Sequence, residues 1–82
     1  MKYDKDKVDE CTLALLYLVM HDEDKHSARA WKGFDWDTMN RLYDKGYIDN
    51  PVCKAKSVIV TPAGVKKTKE LFHSYFVEKE IQ

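Results

Sequence analysis

The chain is poor in the residues that punctuate or staple a fold. It has two prolines and three glycines in 82 residues. That excludes collagen-like, proline-rich and glycine-rich linker proteins, and leaves most of the chain able to enter regular structure. Its two cysteines, Cys11 and Cys53, stand 42 positions apart. Such a spacing makes neither a zinc-binding nor a redox motif, and in a reducing cytosol both are expected as free thiols. The longest apolar run, Leu13 to Met20, is too short to span a bilayer. The first dozen residues are charged and contain no apolar signal segment. The expectation is a cytoplasmic protein without membrane contact.

Chemistry-bearing patterns are equally scarce. There is no glycine-rich phosphate loop, nucleophile motif or paired-carboxylate arrangement, so neither an enzyme nor a cofactor is expected. His21, His26 and His73, with the acids from Asp22 to Asp24, do not adopt a standard ligand spacing. No metal is expected.

What the chain does have is apolar and charged residues in regular alternation. At 44% hydrophobic and 12% aromatic, residues 1–82 fit one folded domain rather than a disordered segment. Net charge is zero, yet residues 1–26 carry seven acids against four lysines, while residues 50–69 carry Lys54, Lys56, Lys66, Lys67 and Lys69 and no acid. A basic face can attract phosphate even on a neutral protein, although a solvated lysine face is the plainer reading.

Periodicity predicts a first helix over about 7–20, capped by Asp4 or Asp6, with apolar residues almost encircling its C-terminal half. Ser27 is placed to cap a short helix over 28–32, which Gly33 breaks. A third helix is predicted over 36–45, capped by Asp35, with Trp36, Met39, Leu42 and Tyr43 on its apolar face. Gly46 suits the left-handed residue that ends a helix. Strands over 47–49 and 56–61 then make a hairpin with its tip at about 51–55. Thr61-Pro62 is a cap followed by proline at the first helical position, which starts a last helix over about 62–78.

Helix, short helix, helix, hairpin, helix is the order of a winged helix-turn-helix. Leu42-Tyr-Asp-Lys-Gly-Tyr-Ile48 resembles the close of a recognition helix, and Ser57-Val-Ile-Val-Thr-Pro-Ala-Gly64 resembles the return of a wing into a final helix. Arg29-Ala-Trp-Lys-Gly-Phe-Asp-Trp36, Gly46 and Lys54-Ala-Lys-Ser-Val58 together resemble a small uncharacterised bacterial family of winged-helix-like proteins. The resemblance implies an α+β winged helix-turn-helix: three N-terminal helices, a two-stranded hairpin wing and a C-terminal helix. It implies no known activity. Between Ser27 and Asp35 there is little room for a full second helix and turn.

If the chain binds double-stranded DNA, Thr38, Asn40, Arg41 and Lys45 are the candidates on the recognition helix. Lys54 and Lys56 on the wing, with Arg29 and Lys32, are the candidates for phosphate. Against this, Asp37 and Asp44 share that helix face, and Asp37 stands four residues from Arg41, the spacing of an intrahelical ion pair. The cluster Trp31, Phe34 and Trp36 is expected as a core wedge. Leu13, Leu16, Tyr17, Met20, Leu71 and Tyr75 are more apolar surface than one small core needs, and are the candidates for a homodimer contact. Two functions follow: a nucleic-acid-binding regulator acting as a dimer, or a protein-interaction module on the same scaffold without DNA contact.

Overall fold

The Asp4 carboxylate accepts the Lys7 backbone N–H at 3.0 Å and starts helix α1, Lys5–Leu16, in the computed structural model, which describes residues 1–78. The helix stops before the expected Met20. A 3₁₀ turn, Tyr17–Val19, leads into a short strand β1, Met20–His21. The apolar residues that seemed to encircle the helix are therefore divided. Leu13 and Leu16 are buried, Val19 of the turn and Met20 of β1 pack against the core, and Leu18 is left outside. Asp22 then takes a positive φ of 51°, which a short polar side chain tolerates better than a branched one.

The largest departure from expectation lies at 28–32. Ser27 caps no helix there. Ala28–Trp31 is strand β2, antiparallel to β1 on one side and to β3, Ser57–Val60, on the other. Four residues are too few to nucleate a helix unaided. Their pattern suits a strand, with Ala28 and Ala30 buried and Arg29 and Trp31 outside. The first helix of a helix-turn-helix is thus absent, and two helices rather than three precede the loop into β3.

Asp35 starts helix α2, Trp36–Asp44, accepting the Thr38 N–H at 3.1 Å and the Thr38 hydroxyl at 2.7 Å. Gly46, at φ 84°, ends it where a side chain would be strained. The expected partner strand at 47–49 is reduced to one bridge, Ile48 to Val60. The Asp49 N–H donates to the Ile59 carbonyl at 2.9 Å, and the Thr61 N–H donates to the Tyr47 carbonyl at 3.1 Å. Thr61 caps helix α3, Pro62–Phe76, through the Gly64 N–H at 3.0 Å, and its hydroxyl donates to the Gly46 carbonyl at 2.7 Å. One side chain thereby joins the end of α2 to the start of α3.

The sheet order is β1-β2-β3. Its inner side, with α1 and α2, closes a core of Leu13, Leu16, Ala30, Met39, Leu42, Ile48, Val58 and Val60. Helix α3 lies along α1, where the buried Thr68 hydroxyl donates to the Leu13 carbonyl. Gly64 permits the approach of α3 to the Tyr47 segment: a Cβ there would stand 1.9 Å from the Tyr47 carbonyl oxygen.

Candidate functional site

Of the α2 residues expected to read DNA, Thr38 and Arg41 turn toward the protein, while Lys45 stays at the surface with its ammonium directed to α1. Asp9, only 2% exposed, sits on the α1 stripe with Leu13 and Leu16. A carboxylate at that depth needs partners. Arg41 supplies them, with Nε 2.8 and 3.0 Å from its two oxygens and Nη2 2.8 Å from Oδ1. Lys45 adds a contact at 2.8 Å to Asp9 and one at 3.0 Å to Asp6. Burial alone would raise the Asp9 pKa, but the Arg41 and Lys45 hydrogen bonds outweigh it and hold the carboxyl below its ordinary value. The same bonds raise the pKa of Arg41 and of Lys45. Arg41 thus pairs with Asp9 rather than with Asp37, the expected neighbour four residues away.

Thr38 is wholly buried and bonded to Asp35 and Arg41. Thr38, Arg41 and Lys45 are therefore brought together, but against α1. Asn40 lies apart from them and is half-buried. This orientation also reverses part of the expected apolar face. Met39 and Leu42 are buried as expected, while Trp36 and Tyr43 are exposed. The side of α2 that meets solvent carries Trp36, Asp37, Tyr43 and Asp44, two acids and two aromatics.

Arg29, Lys32, Lys54 and Lys56 gather around the loop between α2 and β3. Arg29 reaches the Ser57 hydroxyl at 2.8 Å. Lys32 spends its donors on the loop itself, at 2.7 Å from the Pro51 carbonyl, 2.9 Å from the Cys53 carbonyl and 3.2 Å from the Cys53 sulfur. It pins the loop from inside. The ammonium also holds the Cys53 thiol below its usual range, against a smaller opposing effect of burial. Cys53 is exposed, Cys11 is half-buried, and both are free thiols. Lys54 and Lys56 are exposed and, among the described residues, make no ion pair.

Of the candidate dimer residues, Leu13 and Leu16 are sealed in the chain's own core and have no surface to offer a second copy. Met20 and Leu71 pack against that core. Tyr75 donates its hydroxyl to Glu10 and receives the Lys7 ammonium at 2.9 Å. Tyr17 is partly exposed and stacks on Phe72 at 4.6 Å; Phe72 meets Phe76 at 5.3 Å. Leu18, Phe72 and Phe76 were not expected at this surface. The expected aromatic wedge is also divided: Phe34 packs on the core, while Trp31 and Trp36 are 49% and 52% exposed.

The uneven charge of the sequence is only partly resolved within the molecule: of the five lysines in 50–69, Lys69 alone pairs with an acid among the described residues. Acids of the N-terminal segment meet bases from later in the chain at Asp9–Arg41, Asp6–Lys45 and Glu23–Lys69, the last at 2.7 Å. Among the described residues no three His, Cys, Asp or Glu side chains come together as a metal site would need, and no helix is long and apolar enough to cross a membrane.

The model of a domain of unknown function, DUF6429, matches residues 4–78. The chain belongs to this family. It is similar to an uncharacterised protein, y4hR, of Sinorhizobium fredii (strain NBRC 101917 / NGR234), with 46% identity over 76 residues, covering 93% of this chain and 97% of that one. No solved structure matches the chain. The family match bears out membership of a bacterial family without a known activity, which the Arg29–Trp36 segment suggested.

Proposed function

We propose that this member of the DUF6429 family is a non-catalytic protein-interaction module, acting in the cytoplasm, on the wing-bearing half of a winged-helix scaffold. What supports the scaffold is the order α2, loop, β3, α3, with Ile48 bridged to Val60. The helix that would precede a recognition helix is replaced by β2.

One observation carries the interaction reading. The contiguous aromatic series Tyr17, Phe72 and Phe76 lies at the surface, and Leu18, next to Tyr17, is 65% exposed. Aromatic and aliphatic groups grouped in this way on a small protein mark a contact surface more often than isolated apolar residues do. The occupant is a second copy of the chain, with the same patch laid on itself about a two-fold axis. Sedimentation velocity at about 100 μM, a concentration at which micromolar self-association is nearly complete, tests it. The expected result is a dimer that Leu18→Asp and Phe76→Asp each convert to monomer. A wild-type monomer at that concentration overturns the reading.

A second reading, contact with double-stranded DNA, is favoured by Lys54 and Lys56 alone, because Thr38, Arg41 and Lys45 are engaged with α1 and Asp35. Contact through two lysines and a helix face with two acids would be weak and without sequence readout. Titration of a random-sequence duplex at low and at higher salt checks it. Salt-sensitive binding that Lys54→Ala with Lys56→Ala weakens supports DNA contact, and no binding removes it.

A further inference from the structure

Where α1, the end of α2 and α3 diverge, a cleft of about 360 Å³ opens to solvent. Its apolar lining comes from Leu13, Leu42, Tyr47 and Leu71. Three carboxylates border it, yet each is already answered. Asp6 and Asp9 hold Lys45, Asp9 also holds Arg41, and Glu10 accepts from the Tyr75 hydroxyl and pairs with Lys7 at 3.8 Å. Lys67 is different. It is half-buried on the wall of the cleft, and among the described residues it makes neither an ion pair nor a side-chain hydrogen bond. Its stem is partly covered beside an apolar surface and its ammonium has no partner there, a combination that suits an anion bringing its own apolar body.

We propose that this cleft binds a small organic carboxylate, with its charge on Lys67 and its hydrocarbon part against Tyr47 and Leu71. An amine of the same shape would have to compete with Lys45 and Lys7 for carboxylates they already hold. A neutral amide would leave Lys67 unanswered. The expected selectivity is therefore carboxylate over amide over amine. This site is separate from the Tyr17–Phe72–Phe76 surface, and its test does not depend on self-association.

The experiment is a ¹⁵N–¹H correlation titration of the full chain with hexanoate, with hexanamide and hexylamine as matched probes. Hexanoate is expected to produce saturable shifts centred on Leu13, Leu42, Tyr47 and Leu71, with a Kd of about a millimolar, the scale of one short buried chain and one partly exposed ion pair. Lys67→Gln removes no bond seen within the fold, so its spectrum should otherwise match the wild type. In that variant hexanoate should bind up to about fivefold more weakly, no better than hexanamide. The absence of saturable shifts by about 20 mM, well above a millimolar Kd, overturns the proposal. So does equal binding of hexanoate by Lys67→Gln and wild type, or a preference for the amine.

Discussion

Arg41 on α2 closes on Asp9 of α1 through three contacts between 2.8 and 3.0 Å. This pair fixes which side of α2 faces inward, since Arg41, Thr38 and Lys45 follow one another along the helix toward α1. Trp36 and Tyr43 are left outside as a consequence. Because Asp9 is buried, removing its carboxylate while Arg41 and Lys45 remain should be costly. Asp9→Ala is expected to lower stability by about 2 kcal/mol, the scale of a buried hydrogen bond to a charged group, as measured by urea unfolding at neutral pH.

The same pair gives a pH signature. The Asp9 pKa is depressed in the folded state from its ordinary value of 3.8. Its contribution is therefore complete above that ordinary value and is lost as pH falls through the lower folded value. The stability difference between wild type and Asp9→Asn should stay constant from neutrality down to about pH 4 and narrow below it. A difference that narrows between pH 5 and 7 would assign the dependence to another group.

Gly64 makes a sharper prediction. A Cβ would lie 1.9 Å from the Tyr47 carbonyl oxygen and 2.8 Å from the Val60 side chain. The first neighbour is backbone, held by the Thr61 N–H at 3.1 Å, so it cannot turn aside as a flexible side chain would. Gly64→Ala should cost about 3 kcal/mol, at the upper end for overpacking, despite the better helix propensity of alanine. Thermal unfolding of the variant against Ala63→Gly, on the exposed side of the same helical turn, separates the clash from propensity.

Much of the fold was legible because its signals are local. Asp4, Asp35 and Thr61 cap as their side chains dictate, Gly46 ends α2, and the apolar pattern identified Met39 and Leu42 as core. The 28–32 segment was not legible by propensity, since alanine and arginine favour helix while β2 is set by its pairing with β3. The candidate site was less legible, for one physical reason. The partner of Arg41 lies 32 residues away, and a helix face inferred from apolar spacing alone places Trp36 and Tyr43 inside. The available signal was Asp9 itself, an acid four and seven positions before Leu13 and Leu16 on a buried stripe. Such a residue requires a cation from another element.

The environments of the two thiols predict unequal chemistry. Cys53 is exposed beside Lys32, whose ammonium favours its thiolate, whereas Cys11 is half-buried on α1. Cys53 should be alkylated by iodoacetamide well before Cys11 at pH 7.5, an alkaline condition near the thiol range. Lys32→Gln should slow Cys53 and leave Cys11 unchanged. Peptide mass mapping over time checks both, and faster modification of Cys11 would contradict the geometry of the loop.

The two tryptophans provide the most direct test of how α2 is oriented. Had Trp36 joined Met39 and Leu42 in the core, and Trp31 wedged beside it, both indoles would be shielded. With each about half exposed, fluorescence should be quenched efficiently by iodide, and Trp31→Phe and Trp36→Phe should each cost well under the about 3 kcal/mol of a core aromatic truncation. Trp31 has one internal role, lying over Gly33, where a Cβ would stand 2.7 Å from the indole nitrogen. Gly33→Ala should therefore move the Trp31 ring and alter quenching in the Trp36→Phe background, while leaving Trp36 unaffected in the Trp31→Phe background. A core-packed Trp36 would instead resist quenching in the Trp31→Phe background, and would turn Arg41 away from Asp9 toward solvent.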